Sequence, residues 1–464
     1  MSGTFSSLNT ALSALRYNAV VLDVASNNVA NVGTDGYTRR QVAGASVGAP
    51  PTTAMWSRYV GSGDGVRVAG LTRMADAFLD ARARIEHGNQ SYLDVRQAVL
   101  QRVESGIGEP GENGVAAALA DFRTAWADLA NNPGESAARA QVLAQAGALA
   151  DALGIQARNI ATEESDQRSK LLSLLGEVNT VAGDLAAVNR SITNATLGGG
   201  DAGILLDQRD QLALRLAQLT GAQGTIRPDG GMDVTLNGIA LVTGQDAASL
   251  TITSGITPAG APDGGPLTFA VVAGATSTPM ATGMRGEAGA VADLLTTTLP
   301  AYAAGLDAIA TSLADQVNAR HTAGFDLAGN PGVAFFSYDP TNAAASLAVA
   351  LTSPDQVAAS GVPGGVLDGS NADLLSNALA AEGDYQRLVN GFGSEVASVR
   401  RLALNQRTLT AQVDGSREQL RGVNLDEEMV TMLSAQRAYE AAARVMTTLD
   451  SVLDTLINRT GLLR

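Results

Sequence analysis

Cysteine is absent from this chain of 464 residues, which excludes disulfides, thiolate metal sites and cysteine nucleophiles together. Histidine occurs only at His87 and His321, so a metal centre rich in imidazole is not expected. Aromatic residues make up only 4% of the chain, and we expect cores built from alanine, leucine and valine, with no deep aromatic core. These absences leave little side-chain chemistry for catalysis, and they favour a structural protein over an enzyme.

Positive charge is also scarce. The 31 basic residues are outnumbered by 46 acidic ones, which gives a net charge of -15. An acidic surface repels phosphate backbones and anionic lipids, so we expect no nucleic-acid partner and no membrane partner. No apolar run approaches the roughly 18 residues of a transmembrane helix, and the first eight residues lack the basic cluster of a secretory signal. The chain length suggests roughly three domains.

Both ends of the chain carry apolar residues at seven-residue spacing, which predicts helices that pack against one another. One stripe lies within residues 7–31 and the other within residues 425–456. The stripe residues are Leu8, Leu15, Leu22 and Val29, then Leu425, Met432, Tyr439, Met446 and Leu453. Two helices cover only one side of each other, and isolated helices are marginal in water. We therefore expect the two stripes to pair and to bury further surface against neighbouring subunits.

The middle of the chain has a different pattern. A seven-residue apolar series predicts one long helix over 138–192, although glycines such as Gly147 weaken it and the polar patch at 162–170 is a point where the series can break. Asn237-Gly238 between two apolar runs predicts a β-hairpin. The predicted fold is mainly α with an inserted β domain. We expect a terminal coiled-coil assembly domain (1–64 and 400–464), a helical bundle domain (65–220 and 285–399) and a β-rich outer domain (221–284).

Several short motifs resemble sites of chemistry. Residues 44–48, Gly-Ala-Ser-Val-Gly, match a nucleophile motif that requires a strand before it and a helix after it. Because the surrounding segment, 41–58, is predicted to be a loop, we interpret the match as coincidental. The pairs Glu163-Glu164 and Glu427-Glu428 are interpreted as solvated helix faces, because adjacent helical side chains diverge by about 100°. His321 is interpreted as a cap or a satisfied loop residue. We therefore predict no catalytic, cofactor-binding or metal-ligating residue.

Three groups of residues resemble the bacterial flagellar rod, hook and hook-associated proteins. The segment 26–39, which contains Ser-Asn-Asn-Val-Ala-Asn and Gly-Tyr-Thr-Arg, resembles their N-terminal signature. Segments 65–79 and 422–429 resemble their other shared blocks. Interior blocks at 205–212, 299–302 and 318–336 are similar to the hook–filament junction members of this family. The signature adds Asn27, Asn28 and Asn31 to the expected subunit-packing residues.

The resemblance implies a structural role without catalysis or a cofactor. Subunits of such proteins would pass through the flagellar export apparatus, with an export chaperone as a partner, and would be secreted. They would assemble with themselves into a ring-like or tubular layer. That layer would contact the flagellar hook protein and the second hook–filament junction protein (hook-associated protein 3). The basic tail, Arg459 to Arg464, extends beyond the family pattern.

Two alternatives stay open at this point. Another axial protein, of the hook or distal rod type, shares the terminal blocks but would be expected to be mainly β between them. A secreted hydrolase with axial-protein ends would need Ser46 as its nucleophile, and no histidine lies near Ser46 in the sequence.

Overall fold

The structure is a computed structural model that describes residues 2–48, 63–112, 114–280, 283–377 and 380–455. The basic tail lies outside these residues, as does the greater part of the predicted loop at 41–58. The predicted fold class is confirmed, because long helices at both ends enclose a helical body with small antiparallel sheets in the middle of the chain.

The elements follow one another in a simple order. The helices are α1 (Ser2–Ala30), α2 (Ala77–Ile107), α3 (Val115–Asn131), α4 (Ser136–Leu197), α5 (Gly203–Thr220), α6 (Gly286–Asp293), α7 (Leu299–Ala323), α8 (Ala343–Ser346), α9 (Ser370–Asn377), α10 (Ala381–Arg421) and α11 (Leu425–Asp454). A π-helical segment, Leu294–Thr298, joins α6 to α7, and a 3₁₀ turn covers Pro354–Gln356. The strands are β1 (Arg40–Val47), β2 (Gly65–Arg73), β3 (Gln223–Ile226), β4 (Met232–Leu236), β5 (Ile239–Thr243), β6 (Asp246–Ala247), β7 (Ser249–Ser254), β8 (Thr268–Ala273), β9 (Thr276–Met280), β10 (Phe336–Ser337) and β11 (Ala348–Val349).

The mid-chain strands form two antiparallel sheets, β3-β4-β5-β6 and β7-β8-β9. The predicted hairpin is confirmed: Leu236 pairs with Ile239 across the turn. Asn237 and Gly238 both have positive φ, 49° and 81°, as a two-residue hairpin turn requires. These turn residues therefore fix the β4–β5 connection locally.

The segment predicted as a loop at 41–58 begins instead with a strand. β1 covers Arg40–Val47 and pairs with β2 along its whole length, with a register shift after Ala43. The Gly, Ala and Ser content of β1 is typical of a loop, but β1 also packs closely on α1. A Cβ on Gly44 would lie 3.0 Å from the Tyr17 ring. The Gly-Ala-Ser-Val-Gly match therefore lies on β1 and at its end.

A first core lies among α3, the N-terminal half of α4, α7, α9 and α10. Its centre is an aromatic cluster, which the low aromatic content had led us not to expect. Trp126 and Phe335 have ring centroids 5.5 Å apart, and Phe335 and Phe336 are 4.8 Å apart. That expectation was wrong because a composition averages over the chain and does not show that rare residues are concentrated in one place.

A second core lies among the C-terminal half of α4, α5, α6 and the two mid-chain sheets. α4 runs without interruption for 62 residues, about 93 Å, through the polar patch in which the buried Gln167 lies. Its length and apolar composition would also suit a membrane span. Nearly half of that apolar window is buried, and leucines such as Leu149 and Leu174 belong to the two cores.

Candidate functional site

The terminal helices α1 and α11 pack against each other. The last turn of α1 meets the first turn of α11 through Asn28 and Glu428, so the helices run antiparallel. The most buried apolar side chains of the pair are alanines: Ala11 and Ala25 on α1, and Ala435 and Ala442 on α11. Small side chains allow the two backbones to approach closely.

The larger stripe residues lie beside this alanine contact. Those that are half-buried are Leu8, Leu15, Leu22 and Val29 on α1, and Met432, Met446 and Leu453 on α11. Leu425 and Tyr439 are 45% and 41% exposed. The pair therefore leaves part of each predicted stripe uncovered.

Asn28 is the polar centre of the helix pair, and its side chain is 1% exposed. Its amide nitrogen donates to the Arg40 carbonyl at 2.9 Å and to the Glu428 carboxylate at 3.1 Å. Its amide oxygen accepts from the Tyr37 hydroxyl at 2.9 Å and from the Arg40 N–H at 3.1 Å. Asn28 therefore holds α1, the start of β1 and α11 in one register.

Glu428 is 3% exposed, so its interpretation as part of a solvated helix face was wrong. The Arg39 guanidinium donates to Glu428 at 2.7 Å and to Glu427 at 2.7 Å. Burial opposes the charge on Arg39, but these two carboxylates together raise its pKa above the ordinary value. The contact was missed because the partners are nearly 400 residues apart in sequence.

The other two signature asparagines have local roles only. The Asn27 side chain is exposed and donates to the Asp23 carbonyl of its own helix at 3.2 Å. The Asn31 side chain donates to the Asn27 carbonyl at 2.9 Å. Of the three predicted asparagines, only Asn28 reaches α11.

The side of α11 away from the alanine contact carries an apolar surface that we call the outer stripe. Its members are 42–64% exposed. They are Leu425, Met429, Val430, Leu433, Val445 and Val452. Only Leu425 was predicted; the i, i+4, i+8 spacing of Leu425, Met429 and Leu433 is the sequence signal for two further members of this surface.

A second polar cluster lies where β1 and β2 meet α5. Arg73 donates to Asp207 at 2.6 Å and to Asp210 at 2.9 Å. Arg40 pairs with Asp201 at 3.2 Å and with Asp207 at 3.5 Å. Although burial disfavours the charged form, Asp210 and Asp207 raise the pKa of Arg73. Sequence reasoning did not identify this cluster, because Arg73 and Asp207 are 134 residues apart in the chain.

Neither of the two polar clusters has the arrangement of side chains that a catalytic site requires. Among the residues that the structure describes, no group of three His, Cys, Asp or Glu side chains is arranged to hold a metal ion. His321 is fully buried, and its two ring nitrogens contact the Val333 carbonyl at 2.5 Å and the Ala358 N–H at 2.8 Å. The described residues therefore show a long antiparallel pair of end helices, joined at Asn28, on a helical body.

Comparisons with known proteins show the family to which the chain belongs. The family model described as the flagellar hook-associated protein FlgK helical domain matches residues 100–336. Models of the flagellar basal body rod FlgEFG protein C-terminal region and of the flagella basal body rod protein match residues 421–459 and 8–38. The chain therefore belongs to the flagellar hook-associated protein FlgK family. It is a structural component of the bacterial flagellum at the hook–filament junction and not an enzyme. The family thus confirms the predicted structural role and the prediction that the protein is not an enzyme.

Relatives and a solved structure agree with this family. Flagellar hook-associated protein 1 of Bacillus subtilis is 27% identical, over 99% of this chain and 99% of its own length. The protein of the same name from Escherichia coli is 24% identical, over 97% and 99%. The structure of the flagellar hook junction protein FlgK from Burkholderia pseudomallei shares the fold, with a TM-score of 0.64 and 17% identity. The match covers 73% of this chain and 99% of the Burkholderia pseudomallei chain.

Proposed function

We propose that the protein assembles with copies of itself into a ring-like or tubular layer of the flagellum, outside the cell. In this proposal the layer contacts the flagellar hook protein on one side. On the other side it contacts the second hook–filament junction protein, hook-associated protein 3. Membership of the hook-associated family supports a position beside other flagellar axial proteins.

The outer stripe is the single observation that carries the proposal. An exposed apolar surface of several side chains along one helix is typical of an interaction site. α11 buries only Glu428, Ala435 and Ala442, so most of its apolar side chains remain available for a neighbouring subunit. A subunit in a tube contacts several neighbours. Because α1 covers only one side of α11, the other side is available for such contacts.

The same reasoning extends to the predicted packing residues. We propose that both terminal helices contribute to contacts between subunits. The proposed residues are Leu8, Leu15, Leu22, Asn27, Asn28, Val29, Asn31, Leu425, Met432, Tyr439, Met446 and Leu453. In the free subunit, an export chaperone would cover the exposed part of α11 before the chain enters the export apparatus.

We also propose that the chain works as three parts. Residues 1–64 and 400–464 form the assembly domain, residues 65–220 and 285–399 form the helical bundle, and residues 221–284 form a β-rich outer part. Strands β3–β9 fall within the last range, and the sheets that they form pack on α4 and α5 in the second core.

Electron microscopy of flagella from a strain that lacks this protein tests the proposal. We expect hooks without attached filaments, and we expect the wild-type gene to restore the filaments. Leu433→Asp should fail to restore them, because it places a charge on the outer stripe. Ser434→Asp is the matched control, since the neighbouring side chain is exposed and polar. Filaments on hooks of the deletion strain, or full rescue by Leu433→Asp, would contradict the proposal.

A further inference from the structure

We call α1, β1, β2 and α11 the terminal module. Its bounds differ from those of the proposed assembly domain, because β2 is included and residues 400–421 of α10 are not. The module joins the rest of the chain through two connectors of three residues each. We call the rest of the chain the body. One connector, 74–76, leads from β2 to α2, and the other, 422–424, leads from α10 to α11. The connectors are held side by side, because the Arg39 N–H donates to the Arg421 carbonyl and the Met74 N–H donates to the Arg39 carbonyl, both at 2.9 Å. Two short adjacent connectors form the geometry of a hinge.

Apolar packing does not close this hinge. Among the described residues, neither hydrophobic core contains a residue of the terminal module. A cavity of about 570 Å³ lies between the module and the body instead. It is lined by Asp35 and Thr38 from the module and by Asp207, His87 and Arg417 from the body, among others. Two units without a large apolar interface are expected to move relative to each other unless polar contacts hold them.

The polar contacts that cross the hinge are concentrated in one cluster. Arg40 and Arg73 lie on the module, and Asp201, Asp207 and Asp210 lie on or directly before α5 of the body. Except for Asp201, these side chains are only 10–15% exposed, so salt screens their attraction weakly. The side-chain amide of Gln211 adds one further bond, to the Asp35 carbonyl at 2.6 Å.

Two adjacent arginines connect this cluster to the hydrogen bonds around Asn28 and Glu428. Arg39 pairs with Glu427 and Glu428 on α11, whereas Arg40 pairs with Asp201 and Asp207 on the body. Consecutive side chains at the start of a strand point to opposite sides, so one dipeptide contacts both partners. Arg39 and Arg40 therefore join α11 and α5 to the same short segment of the chain.

We propose that Arg40, Arg73, Asp201, Asp207 and Asp210 form an ionic latch that fixes the angle between the terminal module and the body. With the latch closed, the module is held at one angle to the body. When a latch residue is removed, the module swings about the two connectors. The importance of this angle for a subunit between two different neighbours rests on the proposed function, but the latch itself is a property of the free monomer.

Distance measurements between spin labels test the latch. The chain has no cysteine, so Ser434→Cys on α11 and Ser191→Cys on α4 introduce one labelling pair across the hinge. Double electron–electron resonance should give a narrow distance distribution for this pair. Arg73→Gln should broaden the distribution and shift its mean, because it leaves two neighbouring aspartates without their shared cation.

Gly203→Ala provides a second variant that removes no charge. A Cβ at this position would lie 2.7 Å from the guanidinium carbon of Arg40, so the arginine must move away from the latch. We expect a broader distribution here as well. Arg215→Gln is the matched control, because its ion pairs of 2.7 Å and 2.8 Å join α5 to α4 and α6 within the body. It should leave the distribution unchanged.

A label pair within the body, Ser105→Cys and Ser191→Cys, shows whether each variant is folded, and it should keep its distances throughout. The proposal is overturned if the wild-type distribution across the hinge is already as broad as that of Arg73→Gln. It is also overturned if Arg73→Gln and Gly203→Ala both keep the narrow wild-type distribution. Because every measurement is made on monomers, these outcomes are independent of whether the protein forms the junction layer.

Discussion

Replacing Asn28 by alanine should loosen the terminal module selectively. The variant removes four hydrogen bonds from a side chain that is 1% exposed. It also leaves the buried Glu428 carboxylate with Arg39 as its remaining partner among these contacts. Buried polar groups without partners cost about 1–3 kcal/mol each, and water entering the site relieves part of that cost. We therefore expect the opening free energy of the module to fall by about 3 kcal/mol.

Hydrogen–deuterium exchange measures this change directly. A loss of about 3 kcal/mol corresponds to about 100-fold faster exchange for amides that open with the module. The affected amides should lie in β1 and in the first turns of α11, while those in α4 and α7 keep their protection. Asn27→Ala is the control, because Asn27 is exposed and bonds only within its own helix. Equal exchange rates in the two variants would refute the reasoning.

Three further predictions concern the body and the helix pair. Gly147 is helical and nothing lies within 4 Å of an added Cβ, so Gly147→Ala should raise the free energy of unfolding by about 0.5–1 kcal/mol, measured by urea denaturation. Burial lowers the pKa of His321, which is neutral in the fold, so protonation in the unfolded state should reduce stability as the pH falls below 6.5. Urea midpoints at several pH values should show this slope in the wild type and a smaller slope in His321→Gln. Leu22→Asp and Leu453→Asp should leave the circular dichroism of the body intact but abolish assembly, so motile cells that carry either variant would contradict the packing proposal.

The sequence was sufficient to predict elements that are determined locally. The apolar seven-residue series predicted α4 as one helix, and Asn237-Gly238 predicted the β4–β5 turn, because both signals are visible in the local sequence. The shared blocks also indicated the correct family. β1 was missed because its stability comes from pairing with β2 and from contact with α1, neither of which is visible in its own Gly and Ser content.

The candidate site was predicted only in part, for the same physical reason. Seven-residue spacing identified the stripes on α1 and α11, but it did not show that alanines are the most buried apolar side chains of the pair. Glu428 has the same local pattern as a solvated glutamate, and its buried role depends on Asn28 and Arg39 at the other end of the chain. Likewise, the pairing of Arg73 with Asp207 and Asp210 depends on the tertiary placement of α5.

Cysteine labelling at Leu433 tests the central claim that the outer stripe is buried between subunits. In a chain without other cysteines, Leu433→Cys places a single thiol on a side chain that is 52% exposed in the monomer. A maleimide should label the free monomer fully, and the variant assembled on purified hooks should be protected. Dissolving the assembled layer should restore labelling. Equal labelling of the free and assembled protein would show that α11 does not pack against its neighbours through this surface, and it would contradict the account.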